Sequence, residues 1–487
     1  MLPKLTICLL ASEVAPLSKT GGLADVVGAL AKYLHADGHD VRVFTPRYAS
    51  IDATALAAHP VAGLEDVPLA LGAHAYRFAL LQARLPGSGA PVYLIDCPAL
   101  YARGAIYSDA PDEHLRFLAF TRAALESCRR LRWRAQILHC NDWHAAFAPL
   151  FLRTDYRAEP LFAATRTVLT IHNIGYQGIF PATAIADLGL AGHTGLVHRG
   201  DLAAGRINAL RHGILYADAL TTVSPTHARE ICTAEYGMGL DDSLRARAAA
   251  LTGILNGVDY DEWDPRIDRY LPIHYGPGDL AGKSELKRQL LARLRLAAGP
   301  GVPLAGLVSR LAMQKGIELM FGALPRVLAA RPLAFAALGS GEAQYEEFFA
   351  GLARSFPGRV AFARGYDEEL AHWIEAASDL YLMPSRYEPC GLNQMYSLRY
   401  GTVPVVRRTG GLADSVEHYD PASGRGTGIV FNDFDVPALT WALDTALDWY
   451  AAPVHWRRLT ANGMRCDFSW PRRTQEYLAL YRRLIAA

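Results

Sequence analysis

Short apolar runs alternate with segments of helical period along almost the whole chain. In the first half the runs are residues 5–10, 41–45, 92–95, 137–139, 167–171 and 219–223, with helical patterns at 23–36, 113–130 and 144–153. In the second half, runs at 304–308, 333–338, 360–363, 380–383, 403–406 and 429–431 recur about every 25 residues, again with helical patterns between them. Strand-length runs separated by amphipathic segments predict βαβ units, hence an α/β protein whose parallel sheets are covered by helices on both faces. A stretch rich in turn residues, 264–282, breaks the series, and a basic helix predicted at 284–296 leads to a second punctuation, Gly299-Pro300-Gly301. The pattern therefore predicts two doubly wound domains joined between about residues 253 and 300. Folds of this kind bind ligands beyond the carboxyl ends of their strands, so two of them predict an interdomain cleft.

The 487 residues are too many for one small domain and suit two large ones. With 51% hydrophobic and 20% charged residues the chain can bury a large core and is not disordered. Lys+Arg number 49 against Asp+Glu 48, which argues against nucleic-acid binding through a whole-protein basic field. No apolar run approaches the roughly 18 residues of a membrane span. Seven cysteines stand singly, with no C-x-x-C pair, as expected of reduced thiols rather than a disulfide framework or structural zinc. Lys4 and the apolar run after it could be a short signal peptide. A buried first strand is favoured, because a glycine turn and a helix follow at once, and a cytoplasmic protein is expected.

One hexapeptide occurs twice: Thr20-Gly21-Gly22-Leu23-Ala24-Asp25 recurs letter for letter as Thr409-Gly410-Gly411-Leu412-Ala413-Asp414. Each copy follows a predicted strand and opens a predicted helix. Glycines there would let backbone N–H groups approach an anion at a helix N-terminus, predicting two anion-receptive turns, one per domain. The common nucleotide fingerprints are absent. Gly339-Ser340-Gly341 lacks a third glycine, and Gly278 to Ser284 is one residue short of a P-loop with no strand before it. Asp259-Tyr260-Asp261 spells the D-x-D of metal-dependent glycosyl transferases but reads as structural. In His139-Cys140-Asn141-Asp142-Trp143-His144, alternate strand residues point to opposite faces, so a metal cluster is not expected, and Asp142 and His144 read as residues of the cleft rim.

Basic residues remain. Lys19 precedes the first glycine pair, and Arg310 and Lys315 follow a strongly apolar strand. Two cations there would suit a diphosphate, Arg for bidentate contacts and Lys as a mobile point charge, and they would equally suit a solvated loop. Glu388, in Met383-Pro384-Ser385-Arg386-Tyr387-Glu388-Pro389-Cys390-Gly391-Leu392, could bind a sugar hydroxyl or simply stand as an acid at a helix start.

Taken in order, these segments resemble the bacterial glycogen synthase and plant starch synthase family. The resemblance is carried by Lys19 to Asp25, Asp142-Trp143-His144, Thr170-Ile171-His172-Asn173 with Tyr176-Gln177-Gly178, and Tyr216-Ala217-Asp218 with Thr222-Val223-Ser224-Pro225. Leu255-Asn256-Gly257-Val258-Asp259 with Trp263-Asp264-Pro265, Arg310 to Gly316, and Pro384 to Leu392 complete it, over residues 5 to 470 and beyond. It implies a GT-B fold: an N-terminal Rossmann-like domain, 1–253, a C-terminal nucleotide-sugar domain, 254–467, and a last segment, 468–487, crossing back to the first. It implies glucose transfer from ADP-glucose to the non-reducing end of an α-1,4-glucan with retention, with glycogen or another such primer as acceptor. No metal or other cofactor is expected, nor any nucleic-acid or membrane partner. By the same resemblance Lys19, Arg310 and Lys315 would bind the diphosphate, with Gly21 and Gly22 beside it, and Tyr366 would stack on adenine. Asp142, His172, Asn256 and Glu388 would line the glucose site, the backbone amides of Gly391 and Leu392 would grip the distal phosphate, and Cys390 beside them would be a further substrate-binding residue. Many retaining GT-B relatives carry a second glutamate eight residues after the first; here it is Tyr396. Competing readings are a GT-B transferase with another nucleotide sugar or a small acceptor, a catalytically silent glucan-binding homologue, and, more distantly, a Rossmann oxidoreductase.

Overall fold

The computed structural model describes residues 3–299 and 301–486. Pro300, in the second punctuation, lies outside the described residues. The chain forms two compact units, one of Met1–Val223, Ala228–Ile254 and Trp470–Ala487, the other of Ser224–His227 and Leu255–Ser469.

The first unit is built on a 10-stranded sheet. Its parallel part runs in the spatial order Leu251–Gly253, Ala219–Thr222, Arg166–Ile171, Ile137–Asn141, Thr6–Leu10, Asp40–Pro46, Pro91–Asp96. The first strand in sequence sits in the middle, and later strands add on one side and then the other. This leaves a topological switch point between Thr6–Leu10 and Ile137–Asn141, the place where a doubly wound sheet opens a crevice. Beyond Pro91–Asp96 the sheet turns antiparallel through His74–Arg84, which pairs with Val67–Leu71 and His59–Pro60. The sequence pattern predicts only parallel pairing and misses this extension. Val67–Leu71 does alternate buried and exposed residues, but Pro68 at its second position hides it as a strand.

The last helix, Trp470–Ala486, belongs to the first unit, where Tyr477, Leu478, Leu480 and Tyr481 join the core. His139 fastens it. Its Nδ1 lies 2.7 Å from the Tyr481 hydroxyl and its Nε2 lies 2.6 Å from Thr170 Oγ1, while burial pushes its pKa down to about 3 and keeps the ring neutral.

The second unit holds a 6-stranded parallel sheet in the order Val360–Arg364, Ala334–Gly341, Leu304–Leu311, Leu380–Met383, Val403–Arg407, Ile429–Phe431. Numbered by sequence that order is 3-2-1-4-5-6, the dinucleotide-fold arrangement, with its switch point between Leu304–Leu311 and Leu380–Met383. The helix predicted at 284–296 runs Ala281–Arg293, and two of its lysines face inward. Lys283 Nζ donates to the Ala376 carbonyl at 2.8 Å and Lys287 Nζ pairs with Asp379 at 2.6 Å. No helix among the described residues is long and apolar enough to cross a membrane, and all seven cysteines are free thiols.

Candidate functional site

At the switch point of the first unit, the chain leaves Thr6–Leu10 and makes a tight bridge, Val14 against Ser18, before the helix Gly22–Ala36 begins. The sequence pattern suggests that the glycine turn offers its amides to a ligand. In the structure a carboxylate of the chain itself already sits there. Glu13, 3% exposed, accepts from the Thr20 hydroxyl at 2.8 Å, from the Gly21 amide at 3.3 Å and from the Thr20 amide. The Tyr107 hydroxyl donates to the same carboxylate at 2.5 Å. A helix N-terminus attracts an anion, and here Glu13 supplies it. Sequence reasoning missed this residue; its only signal was an acid between a strand end and a glycine turn. Gly21 and Gly22 remain sterically open, with nothing within 4 Å of a Cβ at either. Lys19, about half-exposed, holds its Nζ 2.8 Å from Asp25 at the first turn of the helix.

Asp142 and His172 are brought together. Asp142 caps the strand Ile137–Asn141 with φ +53°, a left-handed conformation uncommon outside glycine and found disproportionately at functional sites. Its Oδ1 accepts the His172 amide at 2.7 Å. The His172 ring is fixed from the other side. Asn141 Nδ2 donates to the Leu10 carbonyl at 3.0 Å, which turns Asn141 Oδ1, 2.9 Å away, toward His172 Nε2. His172 therefore carries its proton on Nε2, leaves a lone pair on Nδ1, and stays neutral, because burial and then His139 push its pKa down to about 3. His144 does not share this position. It is buried among Tyr107, Phe117 and Trp143 with ring centroids 4.3–4.8 Å away, so it is a packing residue and not part of any rim.

Burial raises the Asp142 pKa to about 7, and the amides it accepts from only partly offset this. The unfolded chain releases that proton near the ordinary value of 3.8, whereas the folded protein keeps it until about 7. Between those values the folded state binds more protons, so this group makes stability fall as pH rises. Asp142→Asn, which keeps an oxygen for the His172 amide, is expected to be more stable than the parent near pH 7 and no more stable near pH 4. Thermal melts across that window check this, and a pH-independent difference counts against it.

At the switch point of the second unit two loops are laced together. The strand Leu304–Leu311 includes Arg310 as its penultimate residue, with its exposed guanidinium 3.5 Å from Gln314 Oε1. A single 3-10 turn, Met313–Lys315, follows, and Gly316 closes it at φ +66°. A Cβ at Gly316 would lie 2.0 Å from the Pro384 carbonyl oxygen, so the turn rests directly on the neighbouring loop. The Arg386 amide donates to the Gln314 carbonyl at 2.9 Å. The result is a close ion pair: Lys315 Nζ lies 2.7 Å from Glu388 Oε2, which also accepts the Ser385 hydroxyl at 3.0 Å. Glu388 is 5% exposed.

The backbone under Glu388 is held at every carbonyl. The Gly411 amide donates to Glu388 O at 3.0 Å, the Ser224 hydroxyl to Pro389 O at 2.7 Å, and Gln394 Nε2 to Cys390 O at 3.1 Å and Gly391 O at 2.9 Å. The second hexapeptide thus does not form the anion-receptive turn that the repeat predicts. Its glycines are spacers: a Cβ at Gly410 or Gly411 would stand 2.0 Å from the Glu388 or Cys390 carbonyl oxygen. Cys390 is buried, and Gly391, at φ +70°, and Leu392 lead into the short helix Asn393–Arg399. Asn256 is 5% exposed, and its Oδ1 has no hydrogen-bond partner among the described residues. Tyr366 follows the strand Val360–Arg364 and is 70% exposed, with its hydroxyl on Glu368. Tyr396 lies flat on Trp263, with ring centroids 4.0 Å apart.

The chain is similar to known proteins over its length. The family model described as the starch synthase catalytic domain matches residues 6–246, and that described as glycosyl transferases group 1 matches residues 295–460. A glycogen synthase of Anaeromyxobacter dehalogenans is 49% identical over 485 residues, covering 98% of this chain and 99% of its own length. One from Myxococcus xanthus is 44% identical, across 99% of this chain and 100% of its own. Among solved structures, the catalytic domain of starch synthase IV from Arabidopsis thaliana, bound to ADP and acarbose, matches with a TM-score of 0.91 at 34% identity over 100% of both chains. Sucrose-phosphate synthase from Thermosynechococcus elongatus matches at a TM-score of 0.62 and 18% identity over 99% of this chain and 100% of its own, a likeness of fold.

Proposed function

The chain belongs to the family of glycogen synthases and starch synthases, and we propose that it transfers glucose from ADP-glucose to the non-reducing end of an α-1,4-glucan with retention of configuration. The observation that carries this reading is the Lys315–Glu388 pair beside Arg310 at the switch point of a dinucleotide-type sheet. A nucleoside diphosphate sugar brings several negative charges to that crevice, and an ammonium carried on a fixed turn and paired with a single carboxylate is well placed to be captured by them. Arg310 offers a planar fork for phosphate oxygens, and the exposed Tyr366 ring offers a face for adenine. Freed from Lys315, Glu388 accepts hydrogen bonds from glucose hydroxyls.

In the reaction the glucosyl C1–O bond to the diphosphate breaks, its electron pair leaves on ADP, and the acceptor's hydroxyl oxygen bonds to C1. The acceptor proton passes to the departing phosphate in a same-face attack. The cations of the protein neutralise the charge that grows on ADP, which is the largest electrostatic demand of the step, so no metal ion is needed. The family resemblance adds Lys19 to the diphosphate ligands, Gly391 and Leu392 to the grip on the distal phosphate, and Asp142, Asn256 and His172 to the glucose contacts. Neutral His172, with Nε2–H tied to Asn141, presents Nδ1 as an acceptor and not as a general acid.

Purified protein incubated with ADP-glucose and glycogen in the presence of a chelator is expected to release ADP and lengthen the outer chains. Digestion of the product by an α-1,4-specific hydrolase reads the retained configuration. Equal or faster turnover of UDP-glucose, dependence on added metal, or no chain extension overturns the corresponding part of the reading.

A further inference from the structure

Apart from the donor residues, the second unit contains a cluster that the reaction does not use. Glu262, Glu368 and His372 each place one ligand-type atom within 4.8 Å of the others. Glu368 and His372 stand one turn apart on the helix Glu368–Ala377 and so share a face, while Glu262 reaches in from the loop that begins at Asp259. Acidic clusters are common, and proximity alone assigns nothing; His372 is what sets this one apart.

The His372 side chain is 0% exposed. Its Nδ1 lies 2.8 Å from Oδ2 of Asp268, itself buried and held by the Tyr400 hydroxyl at 2.6 Å. Nδ1–H donates to Asp268, so in the neutral ring the lone pair falls on Nε2. Burial disfavours the charged ring, but the interactions with Asp268 and Glu368 outweigh it and hold the pKa above the usual imidazole value. The Nε2 nitrogen makes no hydrogen bond among the described residues; Glu368 Oε1 stands 3.6 Å away, at ion-pair distance. A buried nitrogen left unpaired is costly unless something is meant to occupy it. The ring cannot turn away. Trp263 stacks on one face at 3.7 Å and 14°, backed by Tyr396, and Tyr270 packs against it at 4.6 Å. A carboxylate on one imidazole nitrogen with the other aimed at two carboxylates is the outer-shell arrangement that orients a metal-binding histidine.

We propose that Glu262, Glu368 and His372 bind a divalent transition metal of the zinc type, with Asp268 orienting the histidine. One imidazole and two carboxylates with a position left for water suit zinc, whereas calcium takes six to eight oxygens. Bonds of about 2.0 Å in tetrahedral geometry place ligand atoms about 3.3 Å apart, so the 3.6 Å between Nε2 and Glu368 Oε1 needs little adjustment. Glu262 is exposed and can swing in. An ion would compete with the Tyr366 hydroxyl for Glu368 and with Arg269, which feels both carboxylates. The alternative occupant of the gap is a proton: a charged His372 bridging Asp268 and Glu368.

The test uses tag-free full-length protein stripped with chelator, then titrated with Zn²⁺ alone in equilibrium dialysis. One saturable equivalent is expected, weakened at least about tenfold by Glu262→Gln and by Glu368→Gln, and roughly 10–100-fold by Asp268→Asn. Because seven free thiols could also take zinc, Co²⁺ alone is added in parallel, with visible bands expected but no thiolate charge-transfer band. No saturable equivalent, binding unchanged in Glu262→Gln and Glu368→Gln, or a thiolate band overturns the assignment. The two glutamine variants sit at the rim and should fold even where removal of His372 does not.

Discussion

Lys315→Ala is expected to lower kcat about 10²–10³-fold, with little change in KM for glycogen. The range is that for loss of one preorganised group that stabilises charge growing in the transition state. Lys315 meets that description because its place is fixed by backbone. Gly316 seats the turn on Pro384, the Arg386 amide ties it to Gln314, and the ammonium is delivered 2.7 Å from Glu388. Acceptor binding does not develop charge on a phosphate, which is why KM for glycogen is spared. Loss of the cation also leaves the buried Glu388 carboxylate with only the Ser385 hydroxyl of its two partners, so ADP-glucose binding should weaken as well. Lys315→Arg keeps the charge with a wider, planar head and should recover part of the rate. Steady-state kinetics with each substrate varied in turn decides; an unchanged kcat in Lys315→Ala removes Lys315 from the mechanism.

Much of the scaffold was legible because buried parallel strands read as continuous apolar runs. Their ends fall within a few residues of the structure, and Leu304–Leu311 is longer than expected because Ser309 and Arg310 stay in the ladder beside Gly339 and Ser340. Where the pattern failed, a local feature overrode it. The apolar period at 144–153 spans two helices, Asp142–Ala145 and Ala148–Arg153, with Pro149 in the first turn of the second, where a proline is favoured. The fold family, the metal-free chemistry proposed for it and the cations came from ordered motifs. What no motif disclosed was how the chain neutralises its own site. Glu13 occupies the first helix N-terminus and Glu388 occupies Lys315, so in both units a carboxylate of the protein stands where the sequence suggests an open anion site. Lys315 and Glu388 stand 73 residues apart, so no linear motif joins them, while Glu13 left only the weak signal of an acid between a strand end and a glycine turn.

The repeated hexapeptide gives the second large effect, because identical letters should respond in opposite ways. Gly411→Ala is expected to destabilise the second unit by about 3 kcal/mol, the upper end of overpacking costs. Its Cβ would fall 2.0 Å from the Cys390 carbonyl oxygen and 2.5 Å from Cys390 Cα. Neither is the flexible end of a side chain; both belong to backbone that Gln394 already pins. Relief requires moving the Glu388–Gly391 loop, so activity should fall along with stability. Gly22→Ala meets nothing within 4 Å, and the residue opens a helix in which alanine is preferred to glycine. It should be neutral or stabilise by up to about 0.5 kcal/mol. For a unit of this size, 3 kcal/mol corresponds to a fall in Tm of roughly 6–12 °C. Calorimetric melts of the two variants therefore separate the roles cleanly. Equal responses would mean that both glycine pairs serve the same purpose, and the Glu388 loop would then need another explanation for its position.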